Sequence, residues 1–316
     1  MIQDIPFVKG HMGGNEIVLV NRDDLPRDEE LELGLKILNA PHVRGDQLGL
    51  LIEKPGEPNH VGVKIVDNNS SDYLPVCGGL TQVFGRAYRD LELDQLLDLD
   101  LQGGSDRVEL KMDLGSFPVL TGPGPDSGDI ASVMDSFLAE IYEKGVEEGS
   151  VAGVTSYRVG HFFVTFTEEI KKEYPDASFK PIDEYTEELL IELQDRFREV
   201  FEIDKPNRDF AIMGSAEDSE KDGGLIFPHN ISEGLVEQSC GSGTIAVVVA
   251  IVKRGEYNGS GTGKLRFGSG GRERKIGGPE TTSVECRVED GRVKRISFSH
   301  SLVELLARGT LYLPES

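Results

Sequence analysis

Basic residues are in short supply: 33 Lys plus Arg stand against 56 Asp plus Glu, a formal charge of -23 over 316 residues. A surface of that sign repels phosphate backbones and anionic lipid, which argues against nucleic acid and membrane surfaces as partners. Cysteine is scarce too. Three are present, none in a C-x-x-C or beside histidines at metal-ligand spacing. That argues against a disulfide framework and a metal centre, leaving thiol chemistry or plain burial. No apolar run reaches the roughly 18 residues of a spanning helix, and the start MIQDIPFVKG lacks a basic segment followed by an apolar one. The chain is therefore expected to be soluble and cytoplasmic. Nucleotide-binding signatures are missing as well. No G-x-x-x-x-G-K-[ST] occurs, and the G-x-G patterns at Gly122–Gly124 and Gly259–Gly263 lack the flanking strand and helix, so they read as turns.

What is present suffices for a large core, with 38% hydrophobic residues in one large domain or two ordinary ones. The acidity also matches what adaptation to high salt would produce. Strand patterning runs over Glu16–Asn21, Val61–Asp67 and Val108–Leu114. The run GPGPDSG at Gly122–Gly128 marks a boundary or exposed loop. After it come a helix over Ile130–Glu148, a strand over Gly160–Phe166 and an amphipathic helix over Asp183–Val200. A strand at Asp209–Met213 precedes the polar stretch Ala216–Gly224, which has loop composition. Short strands near Lys264–Phe267, Thr282–Val288 and Arg295–Phe298 follow, and the tail LARGTLYL supplies one more. Many short strands with few helices, arranged twice over, predict an α+β fold of two similar halves. The acidic run DLELDQLLDLD reads as solvated helix faces.

A weak internal repeat carries most of the functional signal. LPVCGGLTQVFGRAYRDL at Leu74–Leu91 and VEQSCGSGTIAVVVAIVKRGE at Val236–Glu256 each present a cysteine, small residues and a helical stretch. In the second copy TIAVVVAIV is apolar all round, so that helix must be enclosed by protein. Gly241 and Ser242, like Gly78 and Gly79 in the first copy, leave helix-start N–H groups open to a carboxylate. A thiol at such a start feels the positive end of the helix dipole, which favours thiolate. One thiolate taking an α-proton while the other thiol returns one to the opposite face would invert that carbon. Buried packing is the competing reading of a cysteine at a helix start. It is the reading adopted for Cys286, in the alternating strand SVECRV.

At this point the sequence resembles the diaminopimelate epimerase and proline racemase superfamily, and the epimerases along nearly the whole chain. FVKGHMGGNEIVLVN resembles that family's opening, which places Asn15 at a substrate-binding asparagine. RGDQLGLLIEKP and VKIVDNNSSDYLPVCGG match Gln47 and Asn68 to substrate contacts ahead of the first catalytic cysteine. VELKMDLGSFP resembles the strand closing the first half, VGHFFV the G-N-P-H strand with His161 retained, and NRDFAIM the segment that keeps Asn207. EQSCGSGTIAVVVA is the closest match. The resemblance implies two pseudo-symmetric halves, each a β-barrel-like sheet around a central helix, with the active site in the cleft between them. They are expected over residues 1–125, joined by 300–316, and over 126–299. It implies no metal and no pyridoxal cofactor.

Two departures bear on the substrate. The family's C-G-N-G is C-G-G-L here, with Leu80 at the helix start. Glu233 stands in ISEGLVEQSC where the family has E-R-G, with Glu237 a rival, and no arginine follows to read a distal carboxylate.

The expected function is a cofactor-independent amino-acid racemase or epimerase with Cys77 and Cys240 as its acid/base pair. Asn15, Gln47, Asn68, His161, Asn207 and Glu233 would hold the substrate, with backbone groups of Gly78, Gly79, Gly241 and Ser242. An isomerase or dehydratase of an unsaturated or hydroxylated carboxylate is the alternative, and a non-catalytic binding relative the third. The partner expected is a small amino acid or related carboxylate; oligomeric state is left open, a homodimer included.

Overall fold

The computed structural model describes residues 2–54, 56–57, 59–99, 101, 105–122, 130–179, 182–201, 210–214, 223–227, 239–257, 261–269 and 280–314. Along the chain run β1 (Ile2–Met12), β2 (Asn15–Asn21), α1 (Glu30–Asn39), β3 (Gln47–Glu53), β4 (His60–Asp67), β5 (Asp72–Leu74), α2 (Gly78–Asp90), α3 (Leu93–Leu96), β6 (Arg107–Met112), β7 (Gly115–Leu120) and β8 (Ala131–Val133). Then follow α4 (Asp135–Lys144), β9 (Val146–Val151), β10 (Val154–Val159), β11 (Phe162–Phe166), α5 (Thr167–Glu173), α6 (Glu184–Val200), β12 (Phe210–Met213) and β13 (Gly224–Ile226). The chain ends with α7 (Gly241–Arg254), β14 (Gly261–Ser269), β15 (Thr281–Glu289), β16 (Arg292–His300) and β17 (Val303–Pro314). It divides into two compact units, Met1–Ser136 with Ser299–Ser316, and Phe137–Phe298.

In the first unit β1 lies between β2 and β17, antiparallel to both. The β1–β2 hairpin closes on Gly13 and Gly14 at φ 58° and 94°, backbone that side-chain-bearing residues adopt poorly. β2 pairs in parallel with β3, and β3 antiparallel with β4, so Gln47 faces Asp67 across the ladder. Helix α2 packs against β1, β2, β7, β8 and β17. A buried polar knot fixes it there. Ser132 Oγ on β8 meets Thr81 Oγ1 at 2.6 Å and accepts from Gln82 Nε2 at 2.6 Å, while Gln82 Oε1 accepts the His300 N–H at 3.2 Å. Such groups are costly to bury unless each finds a partner.

In the second unit α7 packs against β10, β11, β12 and β15. Its residues from Gly243 to Val252 are all buried, as an all-apolar helix requires. It ends on Gly255 at φ 78°, a left-handed cap. Arg254 pins that end, bonding Glu169 at 2.9 Å and lying 4.3 Å over the Phe166 ring. On another side Phe197 stacks on Phe163 with centroids 5.7 Å apart and meets Phe210 at a tilt with centroids 5.5 Å apart, joining α6 to β11 and β12. Asp183 caps α6, its carboxylate accepting the Thr186 N–H at 2.9 Å.

Two local expectations change. The helix expected over Ile130–Glu148 is shorter. Ser132 is drawn into strand β8 by the knot on α2, and Gly145 stops α4 at φ 100° so that β9 can begin. The run DLELDQLLDLD forms only the single turn α3, because Leu93, Leu97 and Leu99 fold inward instead of lining a helix face. No helix among the described residues is long and apolar enough to cross a membrane.

Candidate active site

Both repeat cysteines are N-caps. Cys77 has extended backbone (φ -143°, ψ 114°), and its Sγ accepts the N–H of Leu80 at 3.3 Å. Cys240 repeats this almost unchanged (φ -137°, ψ 115°), with Sγ accepting the N–H of Gly243 at 3.3 Å. In each case sulfur does the work that Ser or Asp usually does, binding the third helical N–H. The first two N–H groups, of Gly78 and Gly79 or Gly241 and Ser242, are those a helix start offers an anion. None of Cys77, Cys240 and Cys286 is tied up in a disulfide.

The surroundings of the two sulfurs differ. Around Cys77, buried on the first unit, Gln47 Oε1 lies 3.9 Å from Sγ, within reach of an S–H donor. Gln47 Nε2 donates in turn to Asp67 Oδ1 at 3.0 Å, and Asp67 Oδ2 accepts the Ser70 N–H and Oγ–H at 2.7 and 2.6 Å. Asn15 closes another side: a methyl at Gly79 would lie 3.5 Å from its Nδ2 and 3.7 Å from Sγ. On the second unit, half-buried Cys240 has Ser242 Oγ 3.4 Å from its sulfur, and Thr244 Oγ1 donates to its carbonyl at 2.7 Å.

Asn15, Gln47, Gly78 and Gly79 thus gather at Cys77, and Gly241 and Ser242 at Cys240. Asn68 is engaged elsewhere, donating to the Gly45 carbonyl at 3.3 Å and accepting from Asn39 at 2.9 Å. His161 is half-buried on a turn, with Glu140 2.8 Å from its Nε2 and Lys144 beside it. Asn207 and Glu233, with its rival Glu237, lie outside the described residues. Leu80 is fully buried against Gly49 of β3, where a methyl would come 2.7 Å from Leu80 Cδ1. Only its N–H serves the sulfur. Asp67 escaped the sequence reading, although its alternation placed it on the same inward face as Ile65 and Val63; a carboxylate on that face needs a partner.

Cys286 is buried on β15, and burial pushes its thiol up. Nearer the first site, burial pushes the Asp46 carboxyl up; the Glu16 N–H opposes this, the Glu16 and Asp67 charges reinforce it, and Lys9 counters it.

The architecture is the diaminopimelate epimerase-like fold. Solved structures that share it include a phenazine biosynthesis protein of the PhzF family from Bacillus anthracis, with TM-score 0.62 at 10% identity over 99% of this chain and 100% of that one. Methylitaconate-delta-isomerase matches with TM-score 0.59 at 14% identity, covering 99% and 96% of the two chains. A hydroxyproline epimerase from Agrobacterium vitis, with trans-4-hydroxy-L-proline bound, matches with TM-score 0.57 at 13% identity over 98% and 92%. Neither a family sequence model nor a curated protein matches the chain.

Proposed function

We propose that the chain is an isomerase, a cofactor-independent amino-acid racemase or epimerase in which Cys77 and Cys240 exchange protons with the substrate's α-carbon. The observation that carries the reading is the duplicated N-cap: two thiols in one backbone conformation, each accepting the third helical N–H at 3.3 Å. An N–H donated to sulfur favours its charged form. One cysteine, as thiolate, takes the α-proton, and the other, as thiol, delivers its own to the opposite face of the carbon. The carbon is inverted and the two sulfurs exchange protonation states. Negative charge moving onto the substrate carboxylate is stabilised by the helix-start N–H groups of Gly78, Gly79, Gly241 and Ser242. Asn15 and Gln47, gathered at Cys77, are proposed to hold the amine and side chain together with Asn207 and Glu233.

The solved structures with this fold also include a methylitaconate-delta-isomerase, and an isomerase that moves a proton between two carbons is the alternative reading. Two retained cysteines favour transfer at a single carbon over that alternative. The test is incubation with a panel of amino acids in deuterated water, followed by NMR. Deuterium entering only at the α-carbon of one of them supports racemisation; entry at a second carbon supports the alternative. Cys77→Ser or Cys240→Ser should lower exchange by about 10²- to 10⁴-fold, the range general acid–base groups supply. Full exchange in the double variant would rule the mechanism out.

A further inference from the structure

The two cysteines share a cap but differ in their second partner, and the difference leads to a buried carboxylate, Asp67. Asp67 is 3% exposed. As a carboxylate it only accepts hydrogen bonds, so the Gln47 group 3.0 Å away must be the amide nitrogen. The Gln47 carbonyl oxygen is then turned toward Cys77, 3.9 Å from Sγ. A thiol satisfies that oxygen by donating S–H, whereas a thiolate would face its lone pairs. Among the described residues the second partner of Cys240 is of the other kind: Ser242 Oγ at 3.4 Å can turn its hydroxyl proton onto the sulfur alongside the Gly243 N–H.

We infer that Asp67 is a positioning residue. Through Gln47 it holds Cys77 as the thiol, the resting proton donor, and leaves Cys240 as the resting thiolate. This deepens the two-thiol reading and rests on it. Asp67 touches no reacting atom; it sets which way the Gln47 amide points. Among the described residues near Cys77, the other charged groups leave that bias in place. Lys9 is matched by Glu16 at 2.6 Å, and His11, whose Nδ1 accepts the Gly14 N–H at 3.2 Å, turns its Nε2 to Glu304 at 3.4 Å. Asp46 adds negative charge beside Asp67, which also disfavours a thiolate nearby.

The experiment is the pH profile of iodoacetamide alkylation, followed by mass spectrometry on the full chain. Cys286 should be protected until unfolding and so acts as the internal control. In Cys77→Ser the Cys240 profile should have its midpoint about one unit or more below that of Cys77 in Cys240→Ser, a tenfold difference in thiolate at equal pH. Asp67→Asn frees Gln47 to turn its N–H onto the sulfur, so the Cys77 midpoint should fall by about one unit. Asp67→Glu should restore part of the shift. Coincident midpoints for the two cysteines, or a lower one for Cys77, would overturn the assignment whether or not the Asp67 variants fold. An unmoved Cys77 midpoint in a folded Asp67→Asn protein would overturn the positioning role. Alkylation needs no substrate, so failure here is distinct from failure to exchange an α-proton.

Discussion

Gly49→Ala tests whether the packing behind Leu80 controls the sulfur it caps. An ideal Cβ at Gly49 would stand 2.7 Å from Leu80 Cδ1 and 3.0 Å from Leu19 Cδ2, where carbon atoms sit at about 3.5–4.0 Å. Both leucines are fully buried, so the conflict must be relieved by moving Leu80, with α2 behind it. Overpacking of this kind costs about 1–3 kcal/mol. Alanine in a strand interior returns roughly 0.5–1 kcal/mol of that, so a net loss on the order of 1–2 kcal/mol is expected. Leu80→Ala alone should cost about 2.7–5.0 kcal/mol as a core cavity. In the double variant the new methyl occupies part of the vacated space, so the two losses should fall short of their sum by about 1–2 kcal/mol. Urea denaturation followed by tyrosine fluorescence reads this well, since the chain has no tryptophan. Gly49→Ala should also change the alkylation rate of Cys77, because the displaced Leu80 N–H is the one on Sγ. Additivity within about 0.5 kcal/mol, with Cys77 unchanged, would refute the argument.

In Gly243→Ala the added carbon would come 2.6 Å from Cε1 of the buried Phe227 ring, so a loss of about 1–3 kcal/mol is expected, with Cys240 reactivity altered and Cys77 untouched. Burial alone would push the Glu30 carboxyl up, but hydrogen bonds and charge from Lys64, 2.9 Å away, and from Arg22 outweigh it and hold it below its ordinary value. Stability from that carboxylate is fully present above the unfolded value of about 4.3 and is lost as pH falls through the lower folded one. Denaturation midpoints should therefore drop below about pH 4, and Glu30→Gln, weaker at neutral pH, should flatten that limb; an unchanged limb would contradict the linkage.

The parts legible in the sequence are those where one residue's chemistry settles its environment. TIAVVVAIV can only be enclosed, SVECRV alternates as β15 does, and the C-G segments at Cys77 and Cys240 are helix starts. What escaped depends on partners far along the chain. β1 reads as an undistinguished N-terminus until β2 and β17 flank it. Ser132 looks helical until Thr81 and Gln82 claim its hydroxyl. Leu80 reads only as a departure from C-G-N-G, because nothing local shows that Gly49, thirty-one positions earlier, makes room for it. Asp67 borders Asn68, Asn69 and Ser70, whose composition is that of an exposed turn, so its burial is not visible locally.

At the third residue of each capped helix the two units have traded volumes. In the first a leucine on the helix fills the hollow over a strand glycine, and in the second a glycine on the helix admits the edge of Phe227. A chimera exchanging only the C-G-G-L and C-G-S-G tetrapeptides would therefore open a hole beside Gly49 and drive a leucine into an aromatic ring. The copies have become non-interchangeable parts, so transplanting one thiol's environment onto the other requires its strand-side counterpart to travel with it.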